Sequence, residues 1–290
     1  MRLTVQEYED AILGFCSANP KLTIYQAGEV SEPGFSDLDF VVFGDEKPIV
    51  PESVKPFLMG GNVIILPRHY AHKINFMERF VLRHLQGEKI AFEEVPSEHM
   101  AIIEILEWLP ERILKMNQAF ESSDPNVLHL LQKSMNRSID KVSSITKRKY
   151  DIVPSKEFRL RLNDQQKRMA LVHQLEVARL CWSDFEEFIL SEGIAKITNK
   201  NSNNSVNISD YYQFVNEYNS LVSYFNLVSN SNKKKMSNEL ASRISGISSF
   251  EFSKEASDFM TARWDLLCSI YDWFTSKDIK NGMIKYGWLL

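Results

Sequence analysis

Two aspartates, Asp37 and Asp39, stand two residues apart at the head of an apolar run, Leu38–Phe43 (LDFVVF). On an extended chain that spacing sends both side chains to one face, while Leu38, Phe40 and Val42 point to the other. Side by side the carboxylates repel, unless a divalent cation neutralises them. A hard ion such as Mg²⁺ or Mn²⁺ takes oxygen donors and fills its other positions with water and substrate phosphates. The pair is therefore suited to metal-assisted chemistry on a phosphate.

The residues upstream shape the approach to that pair. Leu22–Gln26 (LTIYQ) is a β-prone run ending at Ala27-Gly28, where the backbone turns tightly. Pro33-Gly34 makes a second turn, and Ser36 delivers the chain into the aspartate strand. An Asp-x-Asp alone is common in surface strands. The whole arrangement is more specific: apolar strand, Ala-Gly, polar turn, Ser-Asp-Leu-Asp, apolar run. It resembles the signature of the polymerase-beta-like nucleotidyltransferase superfamily, over residues 5–95 in element order and over 28–43 in motif.

That resemblance implies an Mg²⁺-dependent enzyme moving a nucleoside monophosphate from a nucleoside triphosphate such as ATP to a hydroxyl acceptor. Asp37 and Asp39 would be its metal ligands and catalytic carboxylates, with Gly28, Glu29 and Ser36 against the nucleotide. Such enzymes commonly add a third carboxylate from a later strand. Glu93 and Glu94 in KIAFEEV are the candidates, and Glu94 is assigned the catalytic role. Two features depart from the family pattern. Glu29 occupies the usual serine position, with a charge that opposes phosphate unless it points away, and the Gly28–Asp37 gap is short. Glu29, together with a third carboxylate whose register the sequence leaves open between Glu93 and Glu94, favours as the alternative a protein of the same fold that has lost transfer activity and serves as a binding or regulatory partner.

The elements that must position these residues are read from periodicity. Val5–Ser17 has helical spacing with Thr4 as its cap. Strands are expected at Leu22–Gln26, Leu38–Phe43, Asn62–Leu66 and Lys89–Val95, with a helix over Ala71–Leu85. Beyond Pro96 a helix carries Met100, Ile103, Leu106, Leu109 and Ile113 on one stripe, kinked or divided at Pro110. Ser123-Asp124-Pro125 opens a helix to about residue 148, and Pro154 precedes one reaching about Leu190 with Leu171, Leu175, Ala178 and Trp182 on its stripe. An Asn/Ser-rich loop at 199–207 comes before helices near 209–228, 234–246 and 254–276. The expected fold is α+β: a nucleotidyltransferase-like mixed sheet with helices in 1–96, then an all-helical domain in 97–290.

Composition limits the partners. The 290 residues are 44% hydrophobic and 25% charged, which is ordinary for a globular chain. A net charge of −4 gives no overall basic balance, so a small molecule, sugar or protein is preferred over long nucleic acid as acceptor. The run KRKYDIVPSKEFRLR gathers Lys147, Arg148, Lys149, Lys156, Arg159 and Arg161; it reads as a solvated helix–loop–helix face, with a phosphate-bearing ligand as the functional reading. The three cysteines form no CxxC pair, which fits a reducing compartment, with Cys16 and Cys181 as core fillers. No stretch approaches the roughly 18–20 apolar residues of a membrane span, so a cytoplasmic protein is expected. His69 and His72 lack the carboxylate of a zinc motif and read as surface or packing residues. P-loop, Rossmann and hydrolase-elbow motifs are missing.

Overall fold

Helix α1, Val5–Ala18, begins where the sequence supplies a reciprocal cap: Thr4 accepts from the Glu7 amide while the Glu7 carboxylate accepts from Thr4. At its other end Asn19 acts as a backbone mimic. Its amide donates to the carbonyls of Phe15 and Ile49 at 2.8 Å each, and its Oδ1 accepts from the Ile49 N–H at 2.7 Å. The computed structural model describes residues 4–30, 33–34, 36–58, 63–76, 82–94, 97–119, 125–200 and 247–276.

Four strands form a mixed sheet in the order β3-β2-β1-β4: β1 Thr23–Ala27, β2 Asp39–Phe43, β3 Val63–Leu66 and β4 Leu82–Gln86. The β1 strand runs antiparallel to β2 and β4, and β2 runs parallel to β3. One face of the sheet carries Ile24, Leu38, Phe40, Val42 and Val63 into a core shared with Tyr8, Ile12 and Phe15 of α1. Phe15 stacks on Phe40 with ring centroids 4.2 Å apart. The short helix α2, Lys55–Leu58, adds Phe57, whose ring meets Tyr8 edge-on.

The other face is closed differently from the sequence expectation. In place of a helix over Ala71–Leu85 there is a 3-10 helix, Arg68–Phe76, followed after the undescribed 77–81 by strand β4. The expected strand at Lys89–Val95 is also absent: residues 89–94 are irregular. Their alternation has another cause. The Ile90 N–H donates to the Tyr25 hydroxyl at 2.8 Å, and Phe92 packs against Tyr25 and Phe43. Ile90 and Phe92 thus lie over the sheet instead of pairing into it.

The chain divides into two compact units, Met1–Val95 with Asp265–Leu290, and Pro96–Trp264. In the second, α3 (Ser97–Ala119), α4 (Pro125–Thr146), α5 (Ser155–Arg161) and α6 (Asp164–Ser191) precede β5 (Ala195–Lys200), β6 (Ile247–Phe252) and α7 (Lys254–Ser276), which crosses the division. Pro110 does not divide α3, which runs through it. The hydrogen bond lost at Pro110 is offset by burial of Leu106 and Leu109 beside it. The expected single helix after Pro154 is split into α5 and α6, since Asn163 caps a new start in a box with Gln166. An all-helical region is corrected too, because β5 and β6 pair antiparallel, with Ala195 opposite Phe252. The expected helices near 209–228 and 234–246 and most of the Asn/Ser-rich loop lie outside the described residues. The protein is a mixed α+β chain, and among the described residues no helix is long and apolar enough to cross a membrane.

A polar seam joins the helices of the second unit. Segment 147–154, between α4 and α5, is stitched along its length: Arg148 pairs with Asp184 and Glu187, the Tyr150 hydroxyl donates to Asp184 at 2.7 Å, and the His173 ring donates to the Asp151 carbonyl. The Val153 carbonyl accepts from both Gln132 (2.6 Å) and Asn136 (3.0 Å). Gln174 donates in turn to the Gln132 carbonyl and to Asn136 Oδ1. Burial drives the Tyr150 phenol upward, and burial together with Asp184 pushes the Cys181 thiol up to about 12. Cys181 is therefore a protonated core group, touching Tyr150 as well as filling space.

Candidate functional site

Asp37 and Asp39 sit at the entry to β2, and the backbone around them is fixed from two sides. The Tyr8 hydroxyl, on α1, donates to the Ser36 carbonyl at 2.5 Å and accepts from the Gly34 N–H at 3.1 Å. One phenol thereby spans the second turn. On the other flank the Leu38 N–H donates to the Phe57 carbonyl at 2.9 Å. With Leu38 and Phe40 both fully buried on the α1 side, the alternation of an extended chain sends Asp37 and Asp39 to the opposite side. Asp37 is exposed and Asp39 half-buried.

On its β1 side Asp39 has only a small neighbour: it lies opposite Ala27, the smallest side chain of that strand. One residue on, Gly28 has φ +74°, a left-handed conformation that disfavours other residues, although open space surrounds the place of its missing Cβ. Backbone shape, not crowding, requires glycine there. Glu29 follows it and is exposed, and Ser36 is buried beneath the turn.

The third carboxylate is not brought to the pair. The segment bearing Glu93 and Glu94 docks through Phe92 at the Phe43 end of β2, four residues from Asp39 and so roughly 13 Å along a strand. Glu93 Oε1 lies 3.3 Å from His72 Nε2, and the Glu93 N–H donates to the His72 carbonyl. Glu94 is exposed on an irregular segment instead of the strand expected to present it. Among the described residues no group of three or more His, Cys, Asp or Glu side chains is arranged to hold a metal ion. Two carboxylates on one face still suit a hard cation that keeps several waters, so the donor chemistry at Asp37 and Asp39 fits Mg²⁺ in kind.

Charge on the α1 side of the sheet is arranged separately. Arg83 on β4 clasps Glu9 of α1, Nη1 to Oε1 at 2.8 Å and Nη2 to Oε2 at 3.2 Å. The Arg83 hydrogen bond holds the Glu9 carboxyl below its ordinary value. Arg83 pairs in register with Gln26, which shares the face of Ile24 and not that of Asp39. This cation therefore belongs to the helix–sheet contact.

Sequence reasoning missed Tyr8 as a site residue. It reads simply as an apolar position of α1, and the signal that it shapes the aspartate turn is tertiary: a hydroxyl reaching residues 26 and 28 positions away. Comparison of the chain with protein-family models, with curated proteins and with solved structures finds no match, so the site stands on its geometry alone.

Proposed function

We propose that the N-terminal sheet carries an Mg²⁺-dependent nucleotidyltransferase site, which transfers a nucleoside monophosphate from a nucleoside triphosphate to a hydroxyl acceptor. The observation that supports this reading is Asp39 at the head of β2 opposite Ala27, with exposed Asp37 two residues before it and the flanking backbone anchored through Tyr8 and Phe57. Asp37 and Asp39 hold the cation, and Gly28 gives the backbone its turn beside them. The bound metal supplies neutralisation of phosphate charge, and the protein supplies position. A small molecule, sugar or protein hydroxyl is the preferred acceptor, on the chain's net charge of −4.

The test is consumption of each of the four common nucleoside triphosphates with Mg²⁺ and a panel of acceptors, comparing wild type with Asp37→Asn/Asp39→Asn. Loss of turnover with an unchanged circular dichroism spectrum supports the proposal. Full activity in the double variant sinks it.

Two observations favour a second reading, a binding or regulatory protein without turnover. Glu93 is engaged by His72, and the exposed Glu29 follows the turn glycine. Thermal shift with nucleoside triphosphates separates the two: metal-dependent stabilisation speaks for the enzyme, and no response to any nucleotide with or without Mg²⁺ speaks for the partner role.

A further inference from the structure

Asp37 is exposed, yet the backbone that carries it is held on both sides. The peptide before it is held by its carbonyl, where Ser36 accepts from the Tyr8 hydroxyl at 2.5 Å. The peptide after it is held by its N–H, which Leu38 donates to the Phe57 carbonyl at 2.9 Å. Peptide groups are planar, so these two bonds orient the planes that meet at the Asp37 Cα. Orienting both planes sets the direction of the Asp37 Cα–Cβ bond, and leaves the side-chain torsions to adjust.

The two anchors touch each other. Tyr8 lies on α1 and Phe57 on α2, and their rings meet edge-on with centroids 5.0 Å apart. Both belong to the core that Ile12, Phe15 and Phe40 share, and Tyr8 is buried. Its hydroxyl has two partners on the turn: it donates to Ser36 and accepts from the Gly34 N–H at 3.1 Å. Gly34 has φ +87°, a left-handed conformation that glycine adopts without steric cost. A ring needed for packing alone could be phenylalanine; the phenol oxygen serves the turn that leads into Asp37.

A carboxylate that meets a cation loses freedom on binding, and a backbone already held in place lowers that cost. Resting on the reading of Asp37 and Asp39 as a metal site, we infer that Tyr8 is its positioning residue: the Tyr8 hydroxyl, with the Phe57 carbonyl, holds the backbone on either side of Asp37 in the orientation that receives a hard divalent cation. Tyr8 acts through the backbone of residues 34 and 36 and does not ligate the cation. Coupling of this kind is reciprocal. Whatever the hydroxyl adds to cation affinity, the bound cation returns as steadier bonding of Tyr8 to the turn.

Titration of the full chain with Mn²⁺, followed by electron paramagnetic resonance, tests it. Wild type should bind Mn²⁺, and Asp37→Asn/Asp39→Asn should lose that binding. Tyr8→Phe keeps the ring and removes both bonds, and should weaken Mn²⁺ about fivefold or more. Tyr150→Phe removes a hydroxyl bond to Asp184 in the other unit and should leave the affinity unchanged, which separates positioning from a general loss of stability. In wild type, saturating Mg²⁺ should slow hydrogen exchange at the Gly34 amide, a measurement that needs no variant to fold. No Mn²⁺ binding by wild type, or equal binding by the aspartate variant, overturns the metal-site reading and the role of Tyr8 with it. Carboxylate-dependent binding that Tyr8→Phe leaves at wild-type affinity overturns the role of Tyr8 alone. So does an equal loss in Tyr150→Phe, or a Gly34 exchange rate that Mg²⁺ does not change.

Discussion

The two units place their polar chemistry in opposite ways. In the N-terminal sheet the core against α1 is mainly apolar, with a few buried polar side chains such as Asn19, and Asp37 and Asp39 stand at the head of a strand, one exposed and one half-buried. In the second unit Gln132, Asn136, Gln174 and Asp184 are themselves interior, and each makes hydrogen bonds that hold one segment to its neighbours. The difference teaches where substitution should cost activity and where it should cost stability. A carboxylate at a strand end contributes little to folding, whereas a buried amide left without its partners costs its full desolvation.

The sharpest way to break this contrast is at the aspartates. Asp37→Asn/Asp39→Asn should lower Mg²⁺-dependent turnover on the order of a thousandfold, while urea unfolding shifts by no more than about 1 kcal/mol. A large loss of stability would show that the pair is structural after all. Next in size is the seam. Gln174→Leu removes donors to the Gln132 carbonyl and to Asn136, and should cost about 2–3 kcal/mol in denaturant unfolding. A neutral result would dissolve the contrast from the other side.

Smaller effects sharpen it. The Cys181 thiol is raised from 9.0 to about 12 in the folded chain. The unfolded chain therefore loses this proton first as pH rises, so the contribution of Cys181 is complete below about pH 9 and declines toward pH 12. Cys181→Ala should flatten the alkaline fall of the melting temperature over that window. The smallest effect belongs to Arg83→Gln, which frees Glu9. An exposed pair is worth about 1 kcal/mol at most. The Glu9 carboxyl is held low, so this contribution is present near neutrality and fades as pH falls through its depressed folded value. A loss well above that ceiling, measured by unfolding at pH 7, would mean that the clasp fixes the packing of α1 on the sheet.

What could be read in advance follows from how local each signal is. The capping box at Thr4 and Glu7 lies within one helical turn, and the first three strands are apolar runs closed by glycine or proline. The aspartate strand and its core-facing Leu38, Phe40 and Val42 were legible for the same reason. The β4 strand was not. Leu82–Gln86 is an edge strand whose residues are exposed or half-buried, so it lacks the apolar alternation of a strand with one face in the core. Residues 89–94 do alternate, but they satisfy that pattern by lying across Tyr25 and Phe43. The β5–β6 pair was hidden because an Asn/Ser-rich stretch separates two short runs that recognise each other only in space. The carboxylate pair was visible; the Tyr8 hydroxyl that shapes its turn was not, because a helical tyrosine carries no local mark of the loop it will reach.

The parallel pairing of β2 with β3 has a consequence for the order in which the sheet can assemble. Antiparallel β1 and β2 are joined by residues 28–38, whereas β3 must return across the longer stretch 44–62 and β4 must find β1 from Leu82 onward. Loop-closure entropy rises with the logarithm of loop length, so the β1–β2 hairpin is the least costly of these contacts to form. Asp39 meets Ala27 in that first contact. On loop-closure entropy alone, the head of β2 is thus expected to take shape before the segment that covers its other end arrives.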